Sequence, residues 1–185
     1  MKERGKMAKP KVATAHLTGC FGCHMSILDI DERILELVEL VDFDKSPIDD
    51  IKKFTGPVDI GIIEGGCSTQ ENVEVLRSFR KNCKILVAIG ECALTGGIPH
   101  LRNMIPLKEC VETAYLNGIS VVDGVIPNDP DIPLLLDKVY PVHEVVKIDY
   151  LIPGCPPRAD AIWAALTALL SGKEPELPYE VLKYD

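Results

Sequence analysis

Cys20 and Cys23 stand in Thr-Gly-Cys-Phe-Gly-Cys, Cys92 in Gly-Glu-Cys-Ala, and Cys155 in Pro-Gly-Cys-Pro-Pro. Each follows a hydrophobic, strand-like run and lies in a turn rich in Gly or Pro. Four thiolates brought together make an iron–sulfur or a zinc site. The Cys-x-x-Cys pair alone also describes a thioredoxin-type dithiol, but thiol–disulfide exchange would leave Cys92 and Cys155 without a role. Structural zinc usually joins two knuckles of closely spaced ligands, whereas Cys92 and Cys155 come singly from distant turns. Glycines beside the four, such as Gly22 and Gly90, let backbone approach a bulky cluster and aim N–H groups at its sulfurs. The surroundings therefore favour iron–sulfur, with zinc as the alternative on spacing.

The elements that must position these thiols are legible as apolar runs. Lys11–Leu17, Val41–Asp44, Val58–Ile63, Lys84–Ile89 and Val145–Ile152 predict five strands. Between them Ile27, Ile30, Ile34, Leu37, Val38 and Val41 recur at helical spacing, as do Val73, Leu76, Phe79 and Cys83. Leu107, Cys110, Val111 and Ala114 predict another helix, and Ile162, Trp163, Leu166, Leu169 and Leu170 a last one. Ser68 or Thr69 is placed to cap the helix that follows Glu64-Gly65-Gly66. Strands alternating with helices predict an α/β fold, a flavodoxin-like, doubly wound open parallel sheet of strand order 2-1-3-4-5. Right-handed crossovers put every strand's carboxyl end on one rim, and with it the four cysteines and an iron–sulfur or zinc site. Asn117–Pro141, with four prolines, and the segment after Gly172 read as extended stretches over a surface. The expected organisation is a tail over residues 1–10, one domain over 11–172 and an extended tail over 173–185.

Position sorts all seven cysteines. Cys67 follows the third strand and is the one competitor on the rim. Cys83 ends a helix, on the opposite rim, and Cys110 lies on an apolar stripe; both read as core packing. His16 and His24 read as hydrogen-bonded structural groups rather than proton relays. Glu64, at the end of the third strand, is a helix-capping or solvated carboxylate, with a proton or interface role as its functional alternative. FMN is not expected in this chain, because Cys20 and Cys23 occupy the turn that would cradle its phosphate.

With 46% hydrophobic residues in 185, the chain can bury a core without disulfides. A net charge of −8 argues against a nucleic-acid partner. No apolar run approaches the ~20 residues needed for a membrane span. The first ten residues carry basic groups without an apolar segment or paired arginines, so the expected compartment is the reducing cytoplasm, where an odd set of cysteines is not a disulfide framework.

Taken together, Cys20-Phe21-Gly22-Cys23, Glu64-Gly65-Gly66, Gly90-Glu91-Cys92-Ala93 with Gly96-Gly97, and Pro153-Gly154-Cys155-Pro156-Pro157 resemble the small subunit of [NiFe] hydrogenases, over roughly Lys11 to Asp185. Cys23–Asp29 and His143–Tyr150 look closest to the soluble, NAD-reducing type. The resemblance implies that Cys20, Cys23, Cys92 and Cys155 hold one proximal 4Fe–4S cluster. It also implies a large-subunit partner carrying the Ni–Fe centre and flavin/iron–sulfur diaphorase subunits that reduce NAD⁺. On that reading the chain is a relay in an oxidoreductase and carries no catalytic residue of its own. The related iron–sulfur subunit of NADH–quinone oxidoreductases shares the Pro-Gly-Cys-Pro turn, but has adjacent cysteines where this chain has Cys20-Phe21-Gly22-Cys23. Hydrogenases with other electron acceptors are a further alternative.

Overall fold

A computed structural model describes residues 8–182; residues 1–7 of the expected N-terminal tail and residues 183–185 lie outside the described residues. In chain order the elements are β1 (Lys11–His16), α1 (Gly22–Leu28), α2 (Arg33–Leu40), β2 (Asp42–Phe43), β3 (Val58–Glu64), β4 (Cys67–Thr69) and α3 (Gln70–Asn82). They continue with β5 (Cys83–Ile89), α4 (Glu91–Thr95), α5 (Leu107–Tyr115), β6 (Leu135–Tyr140), β7 (Tyr150–Ile152), α6 (Ala159–Leu170) and α7 (Tyr179–Leu182). Short 3₁₀ turns occupy Ile98–Met104 and Val142–Glu144.

Five strands form one parallel sheet in the order β2-β1-β3-β5-β7. Counted among those five strands alone, this is the expected 2-1-3-4-5. Its central strands are apolar at nearly every position because both faces are covered, as parallel sheets require. Val12, Ile60, Ile62, Val87 and Ile89 face Ile27, Leu37, Ile162 and Leu166 of α1, α2 and α6. Ala13, Ala15, Ile63, Leu86 and Ala88 face Leu76 and Phe79 of α3 on the other side. Thr69 caps α3 by accepting a hydrogen bond from the Asn72 N–H, and the Asn72 side chain accepts the Thr69 N–H in return.

Three features depart from the sequence expectation. The periodic stretch after Cys23 is two helices, because the link between Leu28 and Arg33 breaks the helical path, with Asp31 in a left-handed conformation (φ 56°). The fifth strand is shorter than Val145–Ile152. The Asp149 carboxylate accepts the Leu86 N–H at 2.8 Å and pairs with Arg80, taking the place of a ladder bond before β7 begins. Finally, β4 and β6 form a separate antiparallel pair, so Asn117–Pro141 is not wholly extended surface chain. The segment after Gly172 folds back: Leu177 and Val181 pack on the layer that contains α6.

Candidate metal centre

Strand ends deliver the four thiols to one place. Cys20 lies in the loop after β1 and Cys23 is the second residue of α1; Cys92 is the second residue of α4, directly beyond β5, and Cys155 follows β7. Together with Gly22, Glu64, Glu91, Gly154 and Pro156 they line a single cavity of about 60 Å³. Cys23 is buried and Cys92 half-buried, whereas Cys20 and Cys155 are exposed, so the cavity opens on their side.

Backbone reaches this cavity where side chains would not fit. A Cβ on Gly90 would stand 2.2 Å from Cys23 Sγ, and one on Gly97 would stand 2.8 Å from Cys92 Sγ. The two glycines also have φ of +81° and +52°, conformations that L residues rarely adopt. The Gly22 N–H points at Cys20 Sγ from 3.4 Å.

The charge balance of the quartet favours a cation. Burial raises the Cys23 thiol above its ordinary pKa, and the Glu64 charge and the other three cysteines push it further up. Burial raises Cys92 as well, assisted by Cys155 and Cys20. Ionising four thiols that line one small cavity is costly because the thiolates repel one another, and a bound metal cation would offset that repulsion. The donor set and the glycine cradle both fit a thiolate-bound metal or cluster.

Behind the thiols lies a buried polar group that the sequence only partly disclosed. Glu64 is 1% exposed and is not solvated. Its Oε1 accepts the Cys23 N–H at 3.3 Å and its Oε2 the His24 N–H at 2.9 Å, while His24 Nδ1 makes a short bond to Oε2. Burial would raise the Glu64 pKa, but the neighbouring His16 ring, 3.5 Å away, and the bonded His24 outweigh it and hold the carboxyl at about 2. His24, fully buried, bonds Thr14 Oγ1 at 3.0 Å and stacks on Phe21 at 4.6 Å between ring centroids. The ligand atoms of His16, His24 and Glu64 lie within 4.8 Å of one another. Hydrogen bonds already occupy those of His24 and Glu64, so neither offers a free ligand atom for a metal ion.

The remaining cysteines are elsewhere. Cys67, the expected competitor for the rim, is turned away from it: it opens β4 and is 0% exposed in the layer with Leu76 and Val142. Burial alone pushes its thiol up to about 11, with no contribution from the quartet. The second sheet that diverts it left no periodic signal, since β4 has only three residues. Cys83 begins β5 at the opposite end of the sheet, where burial pushes its thiol up to about 12. Cys110 is half-buried rather than core.

A doubly wound parallel sheet that gathers four cysteines at its carboxyl rim defines a protein built to hold a thiolate-bound metal or cluster. The family described as NADH ubiquinone oxidoreductase, 20 kDa subunit, matches residues 20–169, and the chain belongs to it. Within that family its close homologues are hydrogenase small subunits. The NAD-reducing hydrogenase HoxS subunit delta of Cupriavidus necator is 49% identical over 96% of this chain and 86% of its own length. A subunit of the F420-non-reducing hydrogenase of Methanothermobacter thermautotrophicus is 43% identical over 92% of this chain, which spans 56% of that longer protein. A chain in the crystal structure of an NAD⁺-reducing [NiFe]-hydrogenase in the H₂-reduced state superposes with a TM-score of 0.92. It is 50% identical, and the match covers 96% of this chain and 99% of that one. No helix among the described residues is long and apolar enough to cross a membrane.

Proposed function

We propose that this chain is the electron-relay small subunit of a cytoplasmic, NAD-reducing [NiFe] hydrogenase, with Cys20, Cys23, Cys92 and Cys155 holding one 4Fe–4S cluster. The observation that carries this reading is the convergence of those four cysteines, from the ends of β1, β5 and β7, on one glycine-lined cavity. When bound, such a cluster passes single electrons between partners at a potential set by its protein surroundings. The chain's own contribution is positional: β1, β5 and β7 fix the thiol-bearing turns, and Gly90 and Gly97 clear the space between them. Electrons from H₂ oxidation at the Ni–Fe centre of a large-subunit partner leave through this chain towards flavin/iron–sulfur diaphorase subunits. Side chains exposed on the chain alone, among them Ile98, Leu101, Met104, Ile119, Val122 and Val125, are suited to contact with such partners. The 49% identity to an NAD-reducing relative favours NAD⁺ over other acceptors.

Anaerobic copurification tests the assignment. The expected result is about four irons and four sulfides per chain, with nickel in the accompanying large subunit and flavin in the diaphorase. Zinc without iron would overturn the cluster, and a nickel-free partner would move the chain to the quinone-reductase branch of its family.

A further inference from the structure

α1 carries Cys23, and the Cys20 sulfur is a local acceptor only for its first N–H, that of Gly22. Its N-cap residue, Phe21, is in a left-handed conformation (φ 68°) and has no side-chain cap bond. A helix beginning this way leaves N–H groups unpaired unless something else accepts them. Here the acceptor comes from a different strand. Glu64, the last residue of β3, takes the N–H of Cys23 and of His24 on its two carboxylate oxygens. His24 completes the arrangement by returning its ring to the same carboxylate and by anchoring its far nitrogen on Thr14 of β1. Glu64 also lines the four-cysteine cavity.

We infer that Glu64 is a positioning residue for the cluster: a remote helix cap that fixes the Cys20–Cys23 turn, and a fixed negative charge that lowers the cluster's reduction potential. The inference rests on the four-cysteine reading above. Two effects are separable on physical grounds. Capping here uses both carboxylate oxygens, one for each N–H, and a neutral amide supplies only one such acceptor. The electrostatic effect requires the charge, because a buried anion beside the cavity opposes the arrival of an electron where solvent screening is weak. The carboxylate has no Lys or Arg partner among the described residues: it accepts two backbone N–H groups, contacts the His24 ring and has the His16 ring 3.5 Å away.

The test uses the whole complex, purified anaerobically, with iron per chain and an EPR-monitored redox titration of the cluster as readouts. Glu64→Gln, which keeps one of the two acceptors, is expected to retain more iron than Glu64→Ala, and its cluster to titrate at a higher potential than wild type. Glu64→Ala, which removes the cap as well, is expected to lose most of its iron while the chain still copurifies. Thr14→Val, which releases the far side of His24 without changing charge, should leave the potential where it was and so separates charge from disturbed packing. An unchanged potential in Glu64→Gln, or a rise of equal size in Thr14→Val, would overturn the electrostatic role. Full retention of iron in Glu64→Ala would overturn the cap. Wild-type complex without iron would instead remove the cluster assignment itself, a failure distinct from these.

Discussion

Cys23 Sγ occupies the space that any side chain at Gly90 would need: a Cβ built there stands 2.2 Å from the sulfur. Gly90 also has φ +81°, outside the range L residues adopt comfortably, so an added methyl meets a steric and a conformational penalty at once. The obstacle is a sulfur held on a helix that Glu64 pins, not the free end of a flexible chain. Gly90→Ala is therefore expected to reduce iron content several-fold while the chain remains folded, measured as iron per chain with circular dichroism as the fold control. Wild-type iron in Gly90→Ala would show that the turn is not shaped around the sulfur.

The seven cysteines should divide cleanly when replaced one at a time by alanine. Cys92→Ala and Cys155→Ala are expected to lose the cluster absorption, whereas Cys67→Ala, Cys83→Ala and Cys110→Ala keep it. Cys67 and Cys83 instead fill the apolar layer over β3 and β5, so their replacement should cost stability, on the order of 1–3 kcal/mol each. Because burial pushes the Cys67 thiol up to about 11, it should also resist alkylation at neutral pH in the folded chain. Loss of iron in Cys67→Ala would restore it as a ligand.

Much of this arrangement is legible in the sequence because its causes are local. The apolar runs at Val58–Ile63 and Lys84–Ile89 are buried on both faces, and turns bearing a candidate thiol or carboxylate follow directly where such strands stop. Contacts between residues far apart in the chain are not legible in the same way. Nothing in the sequence around Cys67 announces a three-residue strand whose partner, β6, lies some seventy positions later. Glu64 stands out in the sequence only for its place at a strand end. Its role as the cap of α1 follows from the parallel register that sets it beside His16, which no periodicity records.

Asn103 holds the short β6 on its second side. Its Nδ2 donates to the Val139 carbonyl at 2.8 Å, and its Oδ1 accepts the Val139 N–H at 2.7 Å, as a neighbouring strand would. Val139 is 2% exposed, so removing the amide leaves both backbone groups without water to replace it. Asn103→Ala is expected to destabilise the chain by roughly 1–3 kcal/mol and to speed amide exchange at Val139 more than in β5. Uniform acceleration across both strands would argue that the clamp is not local.

Asp44 gives the cleanest pH signature, since it is remote from the cysteine cavity. It is 1% exposed, and burial alone would raise its pKa. Bonds from the Thr55 hydroxyl, the Lys45 and Thr55 N–H groups and the Lys11 ammonium outweigh burial and hold it at about 2. The folded carboxyl thus resists protonation more than the unfolded one, whose ordinary value is 3.8. Its stabilising contribution is then complete above about pH 4 and is lost as pH falls towards 2. The displacement corresponds to on the order of 2 kcal/mol at neutral pH. Asp44→Asn should lower the melting temperature at pH 7 and flatten its dependence between pH 4 and 2. Glu64, also held at about 2, contributes to the wild-type slope in the same window, so the informative quantity is the difference between wild type and Asp44→Asn. Parallel curves for the two proteins through that window would mean that Asp44 is not the source of the acid sensitivity.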